Sequence, residues 1–310
     1  MNYLIVQLCN SSVSFCNYVS SEGHNLIPIN KLESGLNWAI KNGLNIQILY
    51  PDYDLPDLYI ELLNKFEHID IKRLIPGNDS EIIVLKETES LNIIENIPTP
   101  TILQLSLSDF ISNIKDIAEF LCKTPRLNIC FTDIHYFKDE QEKEYENALK
   151  YLADKIETLL KTGQPVQCNI LTDRIMLTEM NNCNAGVESI TLAPDGCFYI
   201  CPAFYLDKSK DCGNPDIGLK YANPHLYKIQ YSPICRECDA FHCKRCIWLN
   251  QFLTNEVNTP GHQQCLMSHI ERNMSRRLLH NIRKYGIYAP GIDIPQIDYK
   301  DPFDKIIKMK

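Results

Sequence analysis

Cys235-x2-Cys238-x4-Cys243-x2-Cys246 sets two cysteine pairs almost back to back, inside a stretch from Cys183 to Cys265 that holds nine of the chain's fourteen cysteines. The other five, Cys9, Cys16, Cys122, Cys130 and Cys168, are scattered over the first 180 positions. The dense stretch runs through loops rich in Pro, Gly and Asn and has few apolar residues to fold around. Such a segment needs cross-links or metal. The compartment decides which. The opening MNYLIVQLCNSSVSFC has no basic n-region and its apolar run ends at Leu8, so no secretory signal is expected. Gln7 and Leu8 are too polar and too bulky to precede a lipoprotein cysteine at Cys9. No apolar stretch approaches the ~20 residues of a membrane span. The expectation is a cytoplasmic chain with no membrane partner, in which clustered thiols hold metal rather than form disulfides.

The spacing also bears on which metal. Structural zinc sites usually part their ligand pairs by a dozen residues or more, so that the chain can turn about one ion. Four residues between the pairs make that closure tight, whereas iron–sulfur clusters use closely packed cysteines. Iron–sulfur is the expectation, and a zinc-stabilised binding module the alternative.

Composition narrows the field further. A length of 310 residues fits two domains, and 45% apolar with 23% charged residues excludes a largely disordered chain. A net charge of −8 argues against a nucleic-acid partner. No GxGxxG, GxxxxGK[ST] or HExxH run occurs, and no EF-hand loop or Ser/His/Asp arrangement is evident.

The shift in cysteine density near 180 marks the expected boundary. Before it, strand-like runs alternate with helical ones. NYLIVQL, NIQILY, HIDIKRLI (68–75), EIIVL, TILQLSL, LNICFTDI and VQCNIL (166–171) read as strands. Segments 31–43, 58–66, 108–123 and 138–163 read as helices, with Ser108 as an N-cap and Leu149, Leu152, Ile156, Leu159 and Leu160 on one face of the longest. That alternation argues an α/β fold with a parallel sheet, open or partly closed into a barrel. After 180, SITLA and CFYIC flank Pro194-Asp195-Gly196, a hairpin signal. Residues 266–285 read as a helix with Ile270, Met274, Leu278 and Ile282 on one face and Arg272, Arg276, Arg277, Arg283 and Lys284 on a basic face that is solvated or, alternatively, docks an acidic peptide or partner. The tail with Pro290, Pro295 and Pro302 reads as extended.

The run Cys183-Asn184-Ala185-Gly186, then Pro194-Asp195-Gly196, then Cys201, resembles the opening of the SPASM domain, the iron–sulfur extension of many radical S-adenosylmethionine (SAM) enzymes that modify peptides. The family pattern is C-x9–15-G-x4-C, a gap, C-x2-C-x5-C-x3-C, a gap, and C. Cys183, Gly196, Cys201, Cys235, Cys238, Cys243, Cys246 and Cys265 fill it in order, with the two inner gaps each one residue shorter. Gly213-Asn214 also resembles a pair often found in the first gap. The resemblance implies two 4Fe–4S clusters, one on Cys183, Cys201 and Cys246 and one on Cys235, Cys238, Cys243 and Cys265. The fourth ligand of the first is Cys212, Cys197 or an open position. Cys197 lies about 13 Å from Cys201 along an extended strand, so Cys212, in a loop able to fold back, is preferred.

A SPASM domain implies a radical SAM partial (β/α) barrel ahead of it. That family carries CxxxCxΦC after its first strand. Here Cys9, Phe15 and Cys16 are in register, but Val13 takes the central position. The GGEP-like run that binds the SAM amino group after the second strand is replaced by Pro51-Asp52-Tyr53-Asp54-Leu55-Pro56. Cys9 and Cys16 are therefore expected to be relict or core thiols, and SAM cleavage is not expected. Val-for-Cys ahead of Ser-Phe-Cys is similar to the CXXX repeat peptide maturases. The resemblance divides the chain into 1–180, degenerate radical-SAM-like; 181–267, SPASM; and 268–310, helix and tail.

The implied activity is maturation of a ribosomally synthesised peptide, with a precursor peptide as partner and an active radical SAM enzyme or electron donor as further partners. The alternative is a non-catalytic protein presenting the precursor to such an enzyme. His242 and Arg245, inside the cysteine loop, read as solvated or capping groups or as donors to cluster sulfur. Asp133 and His135 end a strand and are pocket candidates, while Cys122 and Cys130 read as core thiols.

Overall fold

Short runs of alternating or wholly apolar residues form the strands, and stretches with an apolar face at helical spacing form the helices. The computed structural model describes residues 1–74, 80–86, 91–92, 94–287 and 291–304. The elements are β1 (Tyr3–Gln7), α1 (Ile29–Lys41), β2 (Asn45–Leu49), α2 (Asp57–Leu63), β3 (Ile69–Arg73), β4 (Ile82–Lys86), β5 (Thr101–Leu105), α3 (Leu107–Ser112), α4 (Ile114–Phe120) and β6 (Leu127–Phe131). There follow α5 (Glu142–Lys161), α6 (Asp173–Met176), β7 (Ser189–Leu192), β8 (Phe198–Tyr199), α7 (Pro202–Leu206), β9 (Gly213–Asn214), β10 (Gly218–Leu219), α8 (Ile247–Thr254) and α9 (His262–Arg283). Eight strands form an open sheet in the order β6-β5-β4-β3-β2-β1-β7-β8, parallel in its described pairs but for the antiparallel β7–β8 hairpin. The class is α/β, as the alternation predicts.

Two compact units share the chain, one made of Met1–Val84 with Asn184–Tyr231, the other of Leu85–Cys183 with the residues from Ser232 onward. In the first unit, strand register assigns the faces. Leu192 pairs with Val6, Val6 with Ile48, and Ile48 with Asp70, so these four share one face. Gly35 of α1 abuts Leu192 so closely that a Cβ there would lie 2.2 Å from Leu192 Cδ2. This is the helix-covered face. Gln7, Thr191, Leu49 and Ile71 point the other way, and Gln7 and Thr191 are wholly buried. The hairpin turns at Gly196, whose φ of 80° suits glycine.

In the second unit α5 packs along α9 and α4. Its stripe of Tyr145, Leu149, Leu152, Ile156 and Leu159 is buried. Phe110 and Phe131 meet Tyr145 at ring separations of 5.7 and 5.8 Å.

Four expectations are corrected. The helix expected over 108–123 breaks at Asn113 into α3 and α4, and its cap is Ser106, which accepts from Asp109 N at 3.1 Å, rather than Ser108. Residues 166–171 form no strand. Cys168 makes a single bridge to Leu127, and the Asn169 amide bonds both the N–H and the C=O of Ile129, each at 2.8 Å, standing in for a strand backbone. Cys122 is exposed, because α4 ends at Phe120 and leaves it in the following turn, whereas Cys130 is buried in β6 as expected. Arg272, expected on a solvated face, is fully buried. Pro290 and residues 305–310 of the tail lie outside the described residues. Among the described residues no helix is long and apolar enough to cross a membrane.

Candidate metal centre

The loop 235–246 is built from tight turns. Cys235–Glu237 form one 3-10 turn, closed by Cys238 N donating to Cys235 O at 3.2 Å. A CxxC pair is thereby folded into a single turn. Ala240 N then donates to Cys238 Sγ at 3.4 Å. Cys246 is the N-cap of α8, its sulfur accepting from Leu249 N at 3.5 Å. Cys265 lies in the first turn of α9.

Cys235, Cys238, Cys243 and Cys265 converge. Burial pushes the Cys238 thiol up to about 12, with further upward pressure from Cys243 and Cys235. Burial likewise pushes Cys243 up to about 11, and Cys235 adds to it. Cys265 is raised by burial and then by Cys243, Asp301, Cys235 and Cys238. Cys238, Cys243 and Cys265 therefore each feel at least one other thiol of the group in a desolvated setting, where a positive metal would favour the thiolate form.

Polar groups are aimed at these sulfurs. Gln264 Nε2 donates to Cys243 Sγ at 3.8 Å, and the Arg245 guanidinium hydrogen-bonds Cys235. His269 Nδ1 donates to the Cys265 carbonyl at 2.8 Å, and burial keeps the ring neutral. Its Nε2, 3.8 Å from Cys238 Sγ, is therefore an acceptor for the thiol proton.

Behind the sulfurs lies a charged layer that the sequence reading missed. His242 and Arg245, read from the sequence as solvated or capping groups or as donors to cluster sulfur, are both buried, which corrects the solvated reading. His242 Nε2 meets Glu271 Oε2 at 2.9 Å, and Tyr145 donates its hydroxyl to Glu271 Oε1. Asp239 accepts from Arg174 at 3.3 Å and from both Nε and Nη2 of Arg272. These contacts tie the loop to α6 and α9. The signal was present in α9: Glu271 stands three and seven residues before Met274 and Leu278, on the apolar stripe, where a charge implies a buried partner.

The other candidate ligands are divided. Cys183 and Cys246 belong to the second unit, Cys201 and Cys212 to the first. Cys183 is exposed, and its N–H donates to Lys244 O at 3.4 Å. Cys201 immediately precedes Pro202, the first residue of α7. Cys212 is buried between β8 and β9, its N–H on Phe198 O at 2.6 Å and its carbonyl accepting from Lys220 N at 2.6 Å, and burial pushes its thiol up to about 11. Cys197 is half-buried in the hairpin, its N–H on Asp195 Oδ1 at 2.9 Å.

In the opening loop Cys9 is buried, with Sγ 3.3 Å from Ser11 Oγ and 3.6 Å from Ser12 Oγ. Val13 is 2% exposed and donates its N–H to Tyr50 O at 2.9 Å. Cys16 is half-buried and, with Cys201, bears on the buried Tyr18 hydroxyl. Asp133 Oδ1 accepts from Leu107 N at 2.8 Å at the start of α3, and His135 stacks edge-on to Phe252, so neither is tied to the cysteines by these contacts.

One cleft of about 540 Å³ lies on the helix-covered face of the first unit, lined by Tyr50, Leu63, Phe66, His68, Asp70 and Lys72 among others. Its charges pair with one another: His68 Nε2 lies 3.0 Å from Asp70 Oδ1, and Lys72 contacts the second Asp70 oxygen.

Among the described residues the cysteines are thiols rather than disulfides. No three or more His, Cys, Asp or Glu among them stand close enough to hold a single metal ion. A zinc ion with bonds near 2.3 Å would need sulfurs within about 4 Å of one another. A four-iron cluster is a larger body that holds its thiolates further apart. The convergence and polar surroundings of Cys235, Cys238, Cys243 and Cys265, two of them buried and two half-buried, fit such a body.

No protein-family model matches the sequence, and neither does any curated protein. Solved structures do match. Native anSMEcpe with bound AdoMet superposes with a TM-score of 0.62 at 14% identity, over 92% of this chain and 100% of that one. Native anSMEcpe with bound AdoMet and Cp18Cys peptide gives 0.63 at 15% identity, over 91% and 99%. The chain has the fold of anSMEcpe. The expected likeness to radical SAM/SPASM peptide maturases is met at the level of the fold, over nearly the whole length of both chains.

Proposed function

We propose that this chain is an iron–sulfur protein of the radical SAM/SPASM type that takes part in maturing a ribosomally made peptide without itself cleaving SAM. The observation that carries the reading is the convergence of four thiols, Cys235 and Cys265 buried and Cys238 and Cys243 half-buried, in a chain with the anSMEcpe fold. In this reading residues 181–267 form the SPASM domain, after a degenerate radical-SAM-like part (1–180) and before the helix and tail (268–310). One 4Fe–4S cluster takes those four thiolates. A second takes Cys183, Cys201 and Cys246, with Cys212 as its fourth ligand. The clusters supply electron storage and a site for binding substrate. The chain's own residues bury the thiols, orient them through tight turns and surround them with fixed charge.

Support for a peptide partner comes from the anSMEcpe structure with bound Cp18Cys peptide. Support for the loss of SAM chemistry comes from Val13, buried where a third thiolate would stand. That same residue favours a second reading, in which the protein presents the precursor to an active radical SAM enzyme.

The test is anaerobic purification with metal and sulfide analysis, followed by incubation with the precursor peptide and a reductant. Two clusters give about eight iron and eight sulfide per chain. Zinc at one or two per chain without iron overturns the reading. Turnover of peptide by this chain alone separates a maturase from a presenter.

A further inference from the structure

Arg245 combines two costly features. It is 1% exposed, and its φ is 41°, in the left-handed region that glycine adopts freely and other residues avoid. It sits between Cys243 and Cys246, one residue from the second, where a glycine would satisfy the backbone better. The side chain must therefore account for the choice. Its guanidinium donates through Nη2 to Asn258 Oδ1 and hydrogen-bonds the Cys235 sulfur, and it lies in electrostatic reach of Cys183 and, more weakly, of the Glu256 carboxylate. Asn258 is itself buried, and its backbone carbonyl accepts from Ser232 Oγ at 2.8 Å, so the anchor is fixed from both sides of the cysteine loop.

Beside neutral thiols a buried guanidinium gains little to offset its lost hydration, and the Glu256 carboxylate, which ranks below Cys235 and Cys183 among the charges acting on it, offsets only part of that cost. Beside thiolates on a four-iron cluster, whose total charge is negative, it gains a charge-assisted hydrogen bond and an ion pair. Fixed positive charge next to such a cluster also favours its reduced form, which is one unit more negative.

We propose that Arg245 is the counter-cation of the cluster held by Cys235, Cys238, Cys243 and Cys265, donating to the Cys235 sulfur and making that cluster easier to reduce. The proposal rests on the iron–sulfur reading above. In the step it governs, one electron enters the cluster from an external one-electron donor, no bond to protein forms or breaks, and Arg245 keeps its proton. It is a positioning residue, acting on the cluster through charge and through sulfur.

The experiment is an EPR-monitored redox titration, with dithionite as reductant, of the full chain and three variants. Arg245→Gly suits the positive φ and removes the charge. It is expected to fold, to keep its iron and to move one midpoint potential to a more negative value. Arg245→Lys keeps a charge and should fall between it and the parent. Asn258→Leu frees the guanidinium and should shift the same midpoint the same way by less. Loss of about four iron in Arg245→Gly, with full loading in Arg245→Lys, also supports the proposal. Loss from both assigns Arg245 to the shape of the loop and overturns it, as does an iron-loaded Arg245→Gly with the parent's midpoints. A parent protein that holds no iron overturns the iron–sulfur reading and this inference with it.

Discussion

In the loop after β1 the Cys9 sulfur faces hydroxyls, at 3.3 Å from Ser11 and 3.6 Å from Ser12, and the position between the two cysteines is filled by a buried valine. In the loop 235–246 the sulfurs meet nitrogen as well as hydroxyls: the Ala240 amide at 3.4 Å, the Gln264 amide at 3.8 Å and the Arg245 guanidinium, beside the hydroxyls of Ser232 on Cys235 and Ser268 on Cys243. Hydroxyls can both donate to and accept from sulfur, so the first loop closes on itself. Amide and guanidinium nitrogens only donate, and they gain most when the sulfur is a thiolate. Equal cysteine chemistry is thus set in two environments, of which the second adds groups that only donate, at Ala240, Gln264 and Arg245.

The comparison can be broken most forcefully at the second loop. Cys235→Ala or Cys243→Ala should halve the iron, from about eight to about four per chain. The same variants should lower the melting temperature by roughly 10 °C, since the loop loses the body it folds around. Unchanged iron and melting temperature in either variant would remove the contrast.

The opposite treatment of the first loop should do little. Cys9→Ala together with Cys16→Ala should leave iron near eight per chain and 5′-deoxyadenosine at background. A loss of about four iron there would reveal a third cluster. Val13→Cys sharpens the point, because a smaller side chain fits the buried site. It should restore a third thiolate and raise the iron, yet still yield no 5′-deoxyadenosine, since Pro51–Pro56 offers no glycine to approach the SAM amino group. Robust SAM cleavage by that variant would show Val13 to be the only lesion.

The smallest effect concerns acid. Burial alone would raise the Asp70 carboxyl, but hydrogen bonds from His68, Lys72 and Tyr50 outweigh it and hold the group at about 2. Its unfolded value is about 3.9. The stabilisation is therefore complete above about pH 4 and lost as pH falls toward 2, because the unfolded chain takes up the proton first. Asp70→Asn should flatten that part of the acid-unfolding profile by on the order of 1 kcal/mol, equally with and without chelator. A decline that keeps its slope in Asp70→Asn would place the acid-sensitive group elsewhere.

Periodicity made much of the fold legible. The buried stripe of α5 and the core runs of β1, β2, β5 and β6 are simple repeats of apolar residues, and the hairpin carries its own turn signal at Gly196. What was not legible depended on side chains acting as backbone or as partners across the chain. Asn169 replaces a strand with its amide, so an apolar run around it reads as β without being so. Ser106 rather than Ser108 caps α3, because the cap is chosen by which N–H it can reach. At the candidate site the sequence pattern named the cysteines, and the structure brings Cys235, Cys238, Cys243 and Cys265 together. The buried Arg174 and Arg272 were hidden, since arginine is mostly a surface residue and only their shared partner Asp239 marks them as internal.

The division of the chain into two interrupted units has a consequence for synthesis. β1, made before the strands it pairs with, takes β2 as one neighbour within some forty residues, but its other neighbour, β7, begins only at Ser189. Until then the Tyr3–Gln7 backbone and the Leu4 and Val6 side chains have an unmatched edge, while the whole of Leu85–Cys183 is being made. The nascent first unit must wait for a strand encoded a hundred residues downstream of its last early element, and during that interval its edge is open to the wrong partner.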